Sequence, residues 1–185
     1  MLKSISTYLL VLIFTTSGSA AAQQANVQRN AGGCASVEAQ RLSFLLGSWK
    51  VKSRFRLSQE PEQWEDTQVR SGISYLFKNC LLVERFEGTR QGHPFKATAM
   101  YAYDRTSKKY EWVGADSEHG ALNLYTGSLS GNDLVLDAQI EISGQSILLR
   151  RLWTKNPAGG FEARSQRSSD GGRTWDTAWC LVYYR

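Results

Sequence analysis

Apolar and polar residues alternate at every second position through most of this chain, and that alternation limits the fold more than any other feature. Between residues 49 and 57, the apolar face of the first such segment consists of Trp49, Val51, Phe55 and Leu57, with Ser53 among them. Lys and Arg side chains occupy the positions between them. A period of two puts alternate side chains on opposite faces of a strand, so the segment predicts a β-strand with one buried face.

About ten such segments follow one another, and short turn sequences separate them. The clearest turns are Gly131-Asn132, 156–160 and 170–172. No helical segment intervenes, which predicts an antiparallel meander and not a parallel α/β sheet. Closure removes the two exposed edges of such a sheet, so we predict an all-β fold, an antiparallel up-and-down barrel of about ten strands. A two-sheet sandwich is the alternative.

One short helix is predicted before the first strand. Ser36 can cap a helix that runs from Val37 to Leu46, and Glu38 lies in its first turn, where the helix dipole favours an anion. Gly47 then ends the helix. In a barrel, this helix would cover one mouth.

The N-terminus has the order of a secretory signal peptide. Lys3 precedes an unbroken apolar run from Tyr8 to Phe14, and Ala20 to Ala22 supply small residues for cleavage. A membrane anchor is the alternative, but the run is shorter than the about 20 apolar residues that a bilayer requires. We therefore expect a periplasmic or secreted protein without an integral membrane segment in its mature chain. The expected segments are a signal peptide (1–22), a flexible lead-in (23–33) and a single β-barrel domain (34–185).

The formal net charge of +5 does not indicate a nucleic-acid partner. The basic residues are spread over many strands and are clustered only at Lys108-Lys109 and Arg150-Arg151. A diffuse positive charge of this size favours solubility and lacks the basic stripe typical of nucleic-acid binding.

Catalytic and metal-binding patterns are weak in this sequence. The two histidines, His93 and His119, lie in predicted turns, whereas a Ser-His-Asp or Cys-His system requires a positioned base. No His/Cys cluster has metal-ligand spacing, and no glycine-rich phosphate loop precedes a helix. We therefore predict no catalytic residue, metal or cofactor. Paired carboxylates can hydrolyse glycosides, but the candidates are expected on the solvated surface: Glu84, Glu87, Asp116 and Glu118.

Aromatic residues on the inward faces are candidates for a cavity wall, because a ten-stranded barrel is wide enough to leave room for a ligand. They are Trp49, Phe55, Tyr75, Phe86, Tyr101, Tyr103, Tyr110, Trp112 and Trp153. We favour a barrel that binds a small apolar or amphipathic ligand. The alternatives are a structural or interaction domain with a filled barrel, and an enzyme using inward polar groups with perturbed pKa values. The candidates for those groups are Arg70, Glu84, Asp116 and Arg151.

The stretch "SSDGGRTW", Ser168 to Trp175, resembles the Asp-box of sialidases and related propellers. A propeller requires repeated four-stranded blades, and this chain has a single copy of the motif. We therefore predict a structural turn, in which Asp170 accepts hydrogen bonds from turn amides and Gly171 and Gly172 supply positive φ. Trp175 would pack over the hairpin.

Three cysteines, Cys34, Cys80 and Cys180, would enter an oxidising compartment, where one pair closes and one thiol is left over. Spacing alone does not identify the pair.

Several segments together resemble a family of secreted bacterial proteins, the domain of unknown function number 1579, which has a lipocalin-like barrel. They include "LSFLLGSW", "FKNCLLVERFEG", "MYAYDRTSKKYEWVGAD" and the terminal Tyr-Tyr-Arg, and the resemblance covers about Cys34 to Arg185. It implies a disulfide between Cys34 and Cys80, which leaves Cys180 as a free thiol. A period of two puts Cys180 on the face of its strand opposite Trp179 and Leu181.

The Gly47-x-Trp49 signature is also similar to the first strand of lipocalins and of the haem-binding nitrobindins. The nitrobindin haem site uses a histidine late in the chain, and no histidine follows His119 here. The resemblance therefore implies a fold and export, but no reaction and no haem.

Overall fold

The computed structural model describes residues 34–120 and 122–185. The predicted signal peptide (1–22) and lead-in (23–33) lie outside the described residues. One short helical segment precedes ten antiparallel strands that form a closed barrel, which confirms the predicted all-β up-and-down architecture. The strands are β1 (Gly47–Gln59), β2 (Glu62–Leu76), β3 (Leu81–Arg90), β4 (His93–Asp104), β5 (Lys109–Asp116), β6 (Asn123–Ser130), β7 (Asp133–Ile142), β8 (Gln145–Lys155), β9 (Phe161–Ser168) and β10 (Asp176–Tyr184).

Each strand pairs with its neighbours in sequence, and the barrel closes where β1 pairs antiparallel with β10. In that pairing Lys50 lies opposite Tyr184 and Phe55 lies opposite Trp179. Neither the first nor the last strand therefore has a free edge along this pairing, which is the reason the sequence favoured a barrel over a sandwich.

The helical segment is an α-helix, α1 (Val37–Gln40), followed by a 3₁₀ helix over Arg41–Leu45. The Ser36 Oγ accepts a hydrogen bond from the Ala39 N–H at 3.0 Å, as expected of an N-cap. The helical conformation ends one residue before the predicted end, because Leu46 is already extended. A 3₁₀ turn aligns side chains three residues apart, and this brings Leu42 and Leu45 together into the core.

The helical segment packs at the end of the barrel where β1 and β5 begin. The Trp49 indole N–H donates to the Leu45 carbonyl at 2.8 Å, and the Tyr110 hydroxyl donates to the Glu38 carbonyl at 3.1 Å. Inside this end the Phe161 ring stacks on Tyr183, with ring centroids 4.0 Å apart. We call this helix-covered, side-chain-filled end the closed end.

A disulfide joins Cys34, just before the helix, to Cys80, just before β3, with Cα atoms 4.9 Å apart. Cys180 is free and lies on the outer face of β10, beside Lys52 and Val182. None of the helices among the described residues is long and apolar enough to cross a membrane.

The stretch from Ser168 to Trp175 connects β9 to β10 through hydrogen bonds centred on Asp170. The Asp170 carboxylate accepts from the Thr174 N–H at 3.0 Å, the Thr174 hydroxyl at 2.7 Å and the Ser168 hydroxyl at 2.7 Å. Gly172 adopts a φ of 89°, and its carbonyl accepts from the Trp175 indole N–H at 3.0 Å. The structural role of this turn stays a prediction, which stability measurements can test.

We expect Asp170→Asn to lower the stability of the protein most near neutral pH and progressively less as the pH falls below about 4. The Thr174 backbone N–H, with the Thr174 and Ser168 hydroxyls, holds the pKa of Asp170 well below its usual range. A depressed folded-state pKa stabilises the fold above the unfolded-state pKa of about 3.9, and that contribution is lost as the pH falls towards the folded-state pKa. Urea unfolding midpoints of both proteins at neutral pH and at about pH 3 measure the difference.

Asp133→Asn is the matched control, since Asp133 is an exposed carboxylate at the start of another hairpin strand. Its midpoint should follow that of the wild type at both pH values. Equal midpoints for Asp170→Asn and wild type at neutral pH would contradict the structural assignment of the turn.

Candidate functional site

A cavity of about 410 Å³ occupies the half of the barrel away from the helix. Its wall includes residues late in β1 and β5, such as Phe55 and Asp116, whereas the helix contacts residues early in those strands. The cavity therefore runs from the middle of the barrel to the mouth opposite the closed end. The inward side chains of its wall include Phe55, Glu84, Phe86, Phe95, Ala97, Ala99, Tyr101, Trp112, Tyr125, Arg151, Trp153, Leu181 and Tyr183.

The aromatic residues predicted to line a cavity divide between its wall and the closed end. The structure places five on the wall: Phe55, Phe86, Tyr101, Trp112 and Trp153. Four others do not line the cavity: Trp49 and Tyr110 are in the hydrophobic core, and the half-buried Tyr75 and Tyr103 pack against it. A period of two identifies the face of a strand but not the depth of a side chain along the barrel axis, which explains the division. Phe95 and Tyr183 show the same alternation and also line the cavity, although they were not among the predicted lining residues.

Glu84 is buried inside the barrel with only 6% of its surface exposed, so its expected place on the solvated surface is wrong. The Ser71 hydroxyl and the Tyr183 hydroxyl donate to Glu84 Oε1 at 2.7 and 2.9 Å, and the Tyr101 hydroxyl donates to Oε2 at 2.6 Å. Its neighbours Leu82 and Phe86 are also buried, and period two alone would have put Glu84 with them. Its charge was the misleading signal, because buried carboxylates are rare unless they are paired.

The two phenols around Glu84 stay protonated near neutral pH. Burial, followed by the negative charge of Glu84, raises the pKa of Tyr101 well above its usual value, and the same two causes act on Tyr183. A protonated phenol can donate to a carboxylate, which only accepts. The cluster of Ser71, Glu84, Tyr101 and Tyr183, here called the Glu84 cluster, is therefore a satisfied hydrogen-bond network at the inner end of the cavity.

Arg151 lies inside the cavity with its guanidinium among aromatic rings. The guanidinium carbon is 3.7 Å from the ring centroid of Trp112, 4.9 Å from that of Tyr125 and 5.1 Å from that of Trp179. Among residues 34–120 and 122–185, no carboxylate lies within 4.0 Å of this guanidinium, and its buried Nε–H has no acceptor.

At the mouth, charged residues are paired with each other. The Arg90 guanidinium is 2.8 Å from a Glu118 carboxylate oxygen, and Asp116 Oδ1 is 3.1 Å from His119 Nδ1. Burial alone would raise the pKa of Asp116, but hydrogen bonds from the Glu118 and His119 backbone N–H groups bring it below its usual value. Within the described chain, His119 has no hydrogen bond to a Ser, Thr or Cys side chain, so Asp116 and His119 do not form a Ser-His-Asp or Cys-His arrangement.

Three of the four candidate enzyme residues line the same cavity, and the fourth does not. Glu84 and Arg151 lie inside the barrel and Asp116 lies at the mouth, whereas Arg70 is exposed on the outer face of β2, opposite Glu87 in the register with β3. His93 is also exposed, as the first residue of β4. The residues that the structure describes contain no group of three or more His, Cys, Asp or Glu side chains suited to a metal ion.

Comparison with protein-family models matches nearly all of the described chain. A family model described as "Protein of unknown function (DUF1579)" matches residues 35–184. A search of curated proteins gave no match. The matched residues cover the helical segment and all ten strands, including every residue of the cavity wall.

Proposed function

Since the chain belongs to the family of proteins of unknown function DUF1579, whose description names no activity, we propose from the barrel itself that the protein binds a small apolar or amphipathic ligand in its cavity. The observation that carries this proposal is the cavity of about 410 Å³. Ligand pockets in proteins are mostly apolar clefts or cavities of about 300–1,000 Å³ with a few placed polar groups. A purely structural barrel would fill this volume with side chains.

Small side chains on the wall account for the space. Ala97 and Ala99 point inward from β4, where they lie opposite Phe86 and Glu84 of the neighbouring strand β3. Gly114 gives the Trp112 ring room to lie along the wall, because a Cβ at Gly114 would be 2.5 Å from that ring. The wall therefore combines large aromatic rings with short side chains, which is the arrangement that leaves a shaped apolar volume.

The polar groups of the cavity favour binding over catalysis. Both oxygens of Glu84 already accept hydroxyl donors, and the raised pKa values of Tyr101 and Tyr183 keep those phenols from acting as bases near neutral pH. A general base must be free to take a proton from a substrate at hydrogen-bond distance. These groups are better suited to stabilise the barrel and to orient a ligand than to catalyse a reaction.

The disulfide supports a location of the protein outside the cytoplasm. Disulfides form and persist in oxidising compartments such as the bacterial periplasm and the extracellular space. We propose a periplasmic or secreted location on this basis, in agreement with the signal-peptide pattern of residues 1–22.

We expect Ala97→Trp to abolish or greatly weaken ligand binding, because the added indole would occupy the cavity. Titration with Nile red, a neutral apolar dye, should give saturable fluorescence enhancement with the wild type and an affinity at least about tenfold lower with Ala97→Trp. Native mass spectrometry of the purified protein would detect a bound small molecule directly.

Lys96→Trp is the matched control, since Lys96 precedes Ala97 on β4 and its side chain is exposed on the outer face. It should bind Nile red like the wild type. Circular dichroism and urea unfolding of all three proteins would verify that they fold. A wild type that does not bind the dye and carries no ligand, or an Ala97→Trp variant that binds as tightly as Lys96→Trp, would refute the proposal.

A further inference from the structure

The charged groups of the cavity differ in whether they have an ion-pair or hydrogen-bond partner. Arg90 at the mouth is paired with Glu118, Asp116 with His119, and Glu84 with three hydroxyl donors. Arg151 alone among these four has neither an ion pair nor a hydrogen bond from its side chain within the described chain. A cation that lines an apolar cavity without a partner is costly, since a buried charge requires pairing and hydrogen bonds.

The aromatic rings fix Arg151 in place without neutralising it. The Trp112 ring centroid, at 3.7 Å from the guanidinium carbon, is close enough for a cation–π contact, and Tyr125 and Trp179 stand further out. These rings attract the cation, but aromatic faces do not accept strong hydrogen bonds from all of its five N–H donors. The guanidinium is therefore held in position while its hydrogen-bonding capacity remains unused.

The Glu84 cluster does not supply the missing partner. Glu84 and Arg151 both lie on the cavity wall, yet no Glu84 oxygen is within 4.0 Å of the guanidinium, and both of those oxygens already accept hydroxyl donors. The hydroxyls that surround Glu84 are its own hydrogen-bond donors. The partner of Arg151 must then come from what enters the cavity.

We propose that the ligand is a small amphipathic carboxylate whose headgroup pairs with Arg151 while its apolar body packs against the aromatic wall. This inference rests on the proposed binding function and adds the charge and position of the headgroup. A planar guanidinium matches a carboxylate in geometry and charge, and such charge-assisted hydrogen bonds are stronger than neutral ones. Phe86, Phe95 and Leu181 supply apolar surface on the same wall for the body of the ligand.

The experiment compares decanoate with decanol, which share an apolar chain and differ in the headgroup. Each competes with Nile red for the wild type, for Arg151→Met and for Arg150→Met, at about pH 8, where a carboxylic acid is ionised. Arg150 is the matched control because it precedes Arg151 on β8 but faces outward, with its guanidinium carbon 4.1 Å from the Trp175 ring centroid and its Nε 2.8 Å from an Asp137 oxygen. Both variants lose one positive charge and nearly the same side-chain volume.

The wild type and Arg150→Met should bind decanoate at least about tenfold more tightly than decanol. Arg151→Met should lose the preference for decanoate, because its decanoate affinity falls while its decanol affinity stays. Arg151→Lys, which keeps the charge without the planar fork, should retain part of the preference.

Equal binding of decanoate and decanol by the wild type would overturn the inference, and so would an Arg151→Met variant that keeps the preference. The wild-type comparison needs no variant, so it decides the question even if Arg151→Met fails to fold. In each of these outcomes Nile red still binds the wild type, and the proposed binding function stands. If the wild type binds none of the three compounds, both the proposed binding function and this inference are refuted.

Discussion

Replacing Cys34 and Cys80 together by alanine should lower the free energy of unfolding by about 4 kcal/mol in the chain-entropy description of a crosslink. The disulfide closes a loop with a sequence separation of 46, which includes the helical segment, β1 and β2. Without it, the unfolded chain gains conformational freedom that folding must remove. Urea unfolding of the oxidised wild type and the double variant measures the loss, and reduced wild type should behave like the double variant.

Cys180→Ser is the control for this comparison, because Cys180 is free and lies on the outer face of β10. Its unfolding midpoint should remain within the range typical of surface substitutions, about 0.5 kcal/mol. Thiol titration of the unfolded, unreduced wild type should detect one thiol, from Cys180. Detection of three thiols, or equal stability of the double variant and Cys180→Ser, would contradict the pairing or its energetic role.

Replacing Glu84 by leucine should lower the free energy of unfolding by about 3 kcal/mol, the second largest effect that we expect. The substitution keeps a side chain of similar length but removes the acceptor of three hydroxyl groups, from Ser71, Tyr101 and Tyr183. Each buried donor left without an acceptor costs about 1–3 kcal/mol, and some of these hydroxyls can turn towards the cavity. Urea unfolding followed by tryptophan fluorescence measures the change.

Two further substitutions separate the hydrogen bonds from the loss of a charge. Glu84→Gln keeps an acceptor oxygen and the shape of the side chain, so it should cost only about 1 kcal/mol. Glu87→Leu removes an exposed carboxylate from the outer face of the same strand and should change stability by about 0.5 kcal/mol or less. If Glu84→Leu is as stable as Glu87→Leu, the Glu84 cluster does not stabilise the fold.

The barrel itself could be predicted from the sequence because its information is local. Most strands show a period of two, and most turns carry a Gly, Asn or Asp, so little knowledge of distant contacts is required. The helical segment was also predictable, since Ser36 caps it through a residue only three positions away. Its change to a 3₁₀ helix at Arg41 was not, because that conformation serves the burial of Leu42 and Leu45 in a core made by other strands.

The candidate site was less predictable because it depends on contacts between distant strands. Trp49 and Phe86 have the same inward pattern, yet one fills the closed end and the other lines the cavity. Arg150 and Arg151 are adjacent and identical, and only the rings contributed by β5, β6 and β10 give Arg151 its aromatic surroundings. The three hydroxyl donors to Glu84 come from β2, β4 and β10. The sequence of β3 therefore does not predict these hydrogen bonds.

The pairing of β1 with β10 has a consequence for how the barrel is assembled. Every other strand pairing joins neighbours in sequence, which can form early as hairpins with a small loss of chain entropy. The closing pair joins the beginning and the end of the barrel domain, so it must wait until the last strand is available. Until then β1 and β10 each have an open edge, and an open strand edge can pair with another copy of the chain. Closure is therefore the step that removes the last two open strand edges of the barrel, and with them the route to edge-to-edge aggregation.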